Sequence, residues 1–303
     1  MSSLIESLAE YVKEQAEVLE NGKNRYFCDF RKNIFREEMD PRIVSMFMAG
    51  DGNELVSKAC APHSSSMLGY NFFHWIKKGH ELEVTFDQDG KTIAYDEVFF
   101  EVKIPVLKRS RAANMDIVLR NGGGNWLFIE SKFTEYMNTG TFDISETYKK
   151  PKAYYCLELG KKWTDFITHY DTHLEKQYWA GMKQYWAGIK QEMCHLIGLT
   201  NWIQAKTKIL EQACERSGDI RFVNLVFEPD SIRFQNEFKM MGDYRHRYED
   251  LHKQLSEKEM IPHGLKMELM TYSMIWPAVQ KSNLPAGLKE YLEEHYMQFA
   301  KKE

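Results

Sequence analysis

The chain has 303 residues, 43% of them hydrophobic and 28% charged, enough apolar material for one large α/β domain or two small ones. Its formal net charge of -4 gives no global attraction to a polyanion, so a nucleic-acid partner would have to meet a local basic surface or a bound cation. Five scattered cysteines without a CxxC pair argue against a disulfide framework or a zinc knuckle, and no apolar run reaches the length of a membrane span.

The opening MSSLIESLAEYVKEQAEVLE has the pattern of an acidic amphipathic helix over 3–20, with Asn21-Gly22 as its stop and no signal-peptide core. A cytoplasmic location is therefore expected. A second helix is predicted over 41–59, with Asp40 as N-cap and Pro41 in its first turn. A third opens at SSSMLGYNFF, where the serines offer caps and Leu68, Phe72, Trp75 and Ile76 form the buried stripe.

From residue 81 the period changes to alternation: ELEVTFDQ, KTIAYDEVFFEVKIPVL, NMDIVLRN and NWLFIESKFTEY read as strands. Asn121-Gly-Gly-Gly-Asn125 tolerates positive φ and joins the last two into an antiparallel hairpin. It lacks the following Lys-Ser/Thr of a phosphate-binding loop. Residues 143–197 return to helix and hold a tandem repeat, KQYWAGM at 176–182 and KQYWAGI at 183–189, which sets Gln177, Gln184 and Gln191 at one phase. Residues 221–228 form a buried strand, and 235–303 read as helical with Pro262, Pro277 and Pro285 as punctuation. The whole is expected to be a single domain over 1–303, comprising an N-terminal helical segment (1–53), an α/β core (54–230) and a C-terminal helical extension (231–303).

The hairpin carries the chemistry. Glu130 and Lys132 project from one side of their strand and Ser131 from the other, while the turn brings Asp116 opposite residue 130 to within a register step or two. Two carboxylates and an ammonium in a small volume suit metal-assisted phosphodiester hydrolysis, in which hard oxygens hold Mg²⁺ (or Mn²⁺) at about 2.1 Å and leave room for water and phosphate. Asp116 and Glu130 are then the metal ligands, the carbonyl of Ser131 or Ile129 a further one, and Lys132 the group beside the attacking water. The bland alternative is an exposed salt-bridge cluster on a sheet face.

The run Asn114-Met-Asp116, thirteen residues, then Glu130-Ser-Lys132 resembles the PD-(D/E)XK nuclease superfamily. SSSMLGYNFF, VFFEVK at 98–103, KQEMCHLIGL at 190–199 and YLEEHY at 291–296 are similar to a bacterial group described as restriction endonucleases. The resemblance implies a restriction-endonuclease-like α/β fold, a mixed central sheet flanked by helices, with added helices at both ends. It implies a metal-dependent nuclease, most simply a DNA endonuclease of restriction, defence or DNA-processing type, with RNA as the other substrate class and a homodimer as one route to double-strand cleavage. Two departures are Met115 in place of the superfamily's Pro and no acid on the 64–78 helix, for which Glu54 or Glu101 can substitute. Gln191 matches a position where relatives keep a site glutamine.

Lys108, Arg109 and Arg111, at the turn before the Asp116 strand, are candidate phosphate contacts. So are Lys149 and Lys150, with Lys152, Lys161 and Lys162 interleaved among Tyr148, Tyr154, Tyr155 and Trp163, although aromatics at that spacing are more often core. His169 and His173, at i and i+4, lack a third ligand of metal-site spacing. Two other function classes remain open: a catalytically silent nucleic-acid-binding or assembly protein that kept the fold, and a metal-dependent hydrolase of a non-nucleic substrate.

Overall fold

A computed structural model describes residues 3–15, 18–21, 24–49, 55, 58–108, 112–135, 146–177, 193–204 and 218–301. Its centre is a five-stranded mixed sheet of order β5-β6-β7-β8-β9: Glu97–Ile104, Ala113–Arg120, Trp126–Lys132, Ile220–Val226 and Leu265–Thr271. The first three strands are antiparallel neighbours, and β8 and β9 add in parallel beyond β7. Helices cover both faces, giving the restriction-endonuclease-like α/β arrangement.

Alternation along most of the strands divides the core in two, with a break in β6 between Met115 and Ile117, beside the left-handed Glu101 of the neighbouring strand. Ile117, Leu119, Leu127, Ile129, Phe133, Val223 and Leu225 pack on one side, with helices α1 (Leu4–Gln15), α2 (Pro41–Ala49), α3 (Ser65–Phe73), α7 (Tyr272–Lys281) and α8 (Leu288–His295). Met115, Val118, Phe128 and Phe222 pack on the other, against α4 (Leu157–Gln177), the helical residues 193–204 (α5) and α6 (Gln235–Glu257). The near-continuous burial of β8 follows from its parallel neighbours on both sides and helices on both faces.

Local chemistry sets the helix starts. Asp40 accepts from the Arg42 N–H at 2.8 Å with Pro41 leading α2, and Ser64 accepts from the Met67 N–H at 3.3 Å to open α3. Gly69 lets α3 approach β6 closely: a Cβ there would lie 2.7 Å from Ile117 Cδ1 and would make that side chain shift. The four described cysteines, Cys28, Cys60, Cys156 and Cys194, are free thiols, and among the described residues no helix is long and apolar enough to cross a membrane.

Several expectations need correction. The helix predicted over 41–59 is Pro41–Ala49, with Lys58–Cys60 a separate short 3-10 turn, and among the described residues the helix expected from 143 begins only at Leu157. The helix over 3–20 ends at Gln15, and Val18–Asn21 (β1) pairs antiparallel with Asn24–Phe27 (β2), so the N-terminal segment is not wholly helical. Asn21-Gly22 fits a hairpin turn as well as a helix stop, which is why the sequence misleads there. The stretch 91–107 is two strands, β4 (Thr92–Tyr95), paired with β3 (Leu82–Thr85), and β5. The C-terminal segment is not a helical extension either: LKMELMT at 265–271 is β9, hydrogen-bonded to β8 within the core sheet. Its charged Lys266 and Glu268 answer Arg221 and Asp219, so the residues that make it look helical are held by partners on the sheet.

Candidate active site

Antiparallel pairing of Ile117 with Ile129 puts Asp116 and Glu130 at the next opposed position, on the face covered by α4, α5 and α6. The Ser131 N–H donates to Asp116 Oδ2 at 2.8 Å, so one carboxylate is tied to the backbone of the strand that carries the other. Lys132, two residues along β7, returns to donate to Glu130 Oε1 at 2.5 Å. Glu130 is 0% and Lys132 3% exposed, which removes the reading of an exposed surface salt bridge.

Glu101 joins them from β5. Its neighbours Phe100 and Val102 pair with Ile117 and Met115, so it falls opposite Asp116, although the ladder itself skips that pair. Glu101 is buried and has φ of 50°, a left-handed conformation that costs a non-glycine residue about 1–2 kcal/mol. Burial, with the charges of Glu130 and then Glu101, raises the Asp116 pKa well above the carboxylate range, and Lys132 and the Ser131 amide offset only part of this. The acid excess is a field that a cation would relieve.

Ser131 points to the opposite face, where its hydroxyl donates to the Ser65 carbonyl at 3.1 Å. That leaves Tyr272 to donate to the Ser131 oxygen across 2.7 Å. This pair clamps β7 to α3 and α7 behind the carboxylates. On β8, Asn224 lies in register with Glu130 and donates to the Tyr244 hydroxyl of α6 at 2.9 Å.

One residue was missed in the sequence. His195 on α5 is 1% exposed, with Nε2 at 2.9 Å from the Asn114 carbonyl and Nδ1 at 3.3 Å from Glu130 Oε2. Burial lowers its pKa; Glu130 works the other way. A single histidine within the apolar run MCHLIGL gives no sign of this from composition, though its place seventy-nine residues after Asp116 on a covering helix does so once the fold is known.

The remaining candidates divide. Lys108, exposed, is held beside the 150–153 turn because its N–H donates to Ala153 O at 2.7 Å, and Ala153 N–H donates to Lys150 O at 2.9 Å, so Lys108 and Lys150 share one surface. Lys149 pairs with Glu146 at 3.1 Å. That segment reaches the site through Tyr148, whose hydroxyl accepts from the thiol of Cys194, the neighbour of His195, at 3.1 Å. Tyr154 and Trp163 are core, while Tyr155 is 52% exposed. Arg109, Arg111, Glu54 and Gln191 lie outside the described residues, as does the 178–192 part of the repeat. His169 is exposed. Among the described residues no group of three or more His, Cys, Asp or Glu side chains is placed so that it could hold a metal ion.

The chemistry of the donors, rather than a finished ligand set, suits a hard divalent cation: Glu130 Oε2 is buried without a hydrogen-bond partner, beside Asp116, in an acid-rich setting. No curated protein and no solved structure matches the chain. The family model described as "Restriction Endonuclease associating with ARP" matches residues 6–297, nearly the whole length, with Asp116, Glu130 and Lys132 inside the match, and the chain belongs to that family.

Proposed function

We propose that this protein is a divalent-metal-dependent nuclease that hydrolyses phosphodiester bonds in DNA, acting as an endonuclease of restriction type. The observation that carries this reading is the β6–β7 pair, which sets Asp116 against Glu130 with Lys132 on the latter's carboxylate, in a chain of restriction-endonuclease family. Asp116 and Glu130 are the residues to hold Mg²⁺ or Mn²⁺, with Glu101 and the Ser131 carbonyl as further oxygens. When bound, the ion would polarise the phosphoryl oxygen and acidify a water.

The chain's own groups then have defined tasks. The Ser131 amide fixes the Asp116 carboxylate, so the site needs little rearrangement to present it. The Lys132 ammonium, held two residues from Glu130 on the same strand face, orients the attacking water and stabilises the negative charge that develops on the phosphorane. Lys108, Lys149 and Lys150 supply phosphate contacts along the substrate backbone, as Arg109 and Arg111 do in the same reading. A homodimer, or two successive nicks by one protomer, would complete double-strand cleavage.

The burial of Glu130 and Lys132 favours a second reading, a catalytically silent nucleic-acid-binding protein with the nuclease fold. Plasmid incubated with Mg²⁺ or Mn²⁺ separates the two, with a labelled RNA as the parallel arm. Cleavage lost in Glu130→Ala and Lys132→Ala supports the nuclease; cleavage that persists in both, or salt-sensitive DNA binding without cleavage under either ion, removes it.

A further inference from the structure

We propose that His195 is a nitrogen ligand of the divalent cation held at Glu130, which makes the site a mixed carboxylate–imidazole centre. The inference rests on the nuclease reading for the presence of the cation, and on the geometry of α5 against β6 and β7 for the ligand. Its starting point is a pair of atoms: Glu130 Oε2 and His195 Nδ1 lie 3.3 Å apart, both buried, and neither has a hydrogen-bond partner.

The Asn114 carbonyl decides what those atoms are. A carbonyl can only accept, so the 2.9 Å contact places the ring proton on His195 Nε2. With the ring protonated, Nδ1 and the carboxylate form a buried ion pair; with the ring neutral, Nδ1 is a bare lone pair facing a carboxylate oxygen. Two buried acceptors turned toward each other are unfavourable, because each has lost its water and neither offers a proton. A proton on Nδ1 or a metal cation between them resolves the conflict, and of the two we take the cation.

A cation fits the space. Ligand atoms at about 2.1–2.2 Å from one ion and about 100° apart are separated by roughly 3.3 Å, within the range of common coordination geometries. Metal-ligating histidines usually donate their other ring N–H to a carbonyl or carboxylate, which fixes the tautomer and the ring plane. Here the carbonyl belongs to Asn114, two residues before Asp116, so the ring is oriented by the strand that carries the other acid. Lys132 occupies the opposite oxygen of Glu130, leaving Oε2 for the ion. A nitrogen donor also shifts the preference of an otherwise all-oxygen site from Mg²⁺ toward Mn²⁺.

The full chain is loaded with Mn²⁺ alone, without nucleic acid, and examined by pulsed electron paramagnetic resonance for nitrogen modulation from a coordinated imidazole. The signal is expected in the unaltered protein and lost in His195→Gln, with Mn²⁺ affinity reduced about tenfold or more and Mg²⁺ affinity reduced less. Replacing all histidine nitrogen by ¹⁵N in the unaltered chain must convert the pattern, a check that needs no variant to fold. Absence of the modulation in the unaltered protein, or its survival in a folded His195→Gln, overturns the inference. DNA cleavage is scored separately: modulation without cleavage retains the ligand and removes the nuclease reading, and cleavage without modulation does the reverse.

Discussion

Two clusters of charged side chains sit on the same sheet, and they are built on opposite principles. At one end Arg221, with its side chain 1% exposed, reaches Asp89 at 2.7 Å, Asp219 at 3.0 Å and Glu268 at 3.4 Å, and lies 3.9 Å from the centre of the Phe86 ring. Lys266 and Lys91 complete it, so three cations meet three acids. Around Asp116 and Glu130 the acids outnumber the lysine, and a carboxylate oxygen and a ring nitrogen, neither with a hydrogen-bond partner, lie 3.3 Å apart. The first arrangement holds the β3–β4 turn to β8 and β9; the second leaves buried polar atoms without a hydrogen-bond partner.

The pKa directions express the same contrast. Hydrogen bonds from Arg221 and Lys266 hold Asp89 well below the usual carboxylate range. Burial pushes Asp219 up, but its bonds from Lys91, Arg221 and Lys266 outweigh that and bring it down to about 2. Asp116 moves the other way.

The largest effect separating the clusters is expected in catalysis. Lys132→Ala should reduce plasmid cleavage about a thousandfold, near 4 kcal/mol in the barrier, while Arg221→Met lowers cleavage only as far as it lowers the folded fraction. Initial rates at matched folded concentration distinguish them, and equal losses would erase the contrast.

Arg221→Met should instead cost about 3 kcal/mol of stability by urea denaturation, because it leaves three acids without their buried cation. Next in size is the response to metal. Mn²⁺ or Mg²⁺ at about a hundred times its dissociation constant should stabilise the protein by roughly 2.7 kcal/mol, seen as a thermal shift that Asp116→Asn abolishes and Arg221→Met retains. No shift in the unaltered chain would count against a site ready for the ion.

The smallest effect has opposite signs in the two clusters. A carboxyl raised in the folded state binds more protons folded than unfolded, so Asp116 costs stability as pH rises above the ordinary value of 3.8 and through its folded pKa. Asp116→Asn should therefore stabilise the metal-free protein by about 1 kcal/mol at neutral pH, an advantage that fades toward pH 4. Asp89 and Asp219 are depressed, so their contribution is fully present above 3.8 and disappears as pH falls toward 2. Melting temperature against pH for both variants would show the two slopes, and parallel slopes would contradict the assignment.

What could be read in advance follows from the range of the interactions. The β6–β7 hairpin was legible because its determinants are local: apolar, β-branched and aromatic runs on either side and an Asn-Gly turn in which Asn121 Oδ1 accepts from the N–H groups of Gly123 and Asn125. The juxtaposition of Asp116, Glu130 and Lys132 was legible with it. β9 was not, since its Lys266 and Glu268 are satisfied by residues nearly fifty positions earlier, and that pairing leaves no trace in a short window. His195 escaped for the same reason: a polar ring in an apolar helix stretch looks like core until the strand it touches is known. Glu101 lay between these cases, suggested by an acid missing from α3 and brought beside Asp116 by the pairing of β5 with β6.

Glu101 also shows how the site could be found without coordinates. Glycine at 101 would adopt the same backbone without penalty, and asparagine at 116 would remove a disfavoured charge, so a library selected only for folding should enrich both. A library selected for cutting should discard both. Positions at which the two selections disagree would trace the outline of the site, and the chain's native choice at each would record which demand prevailed.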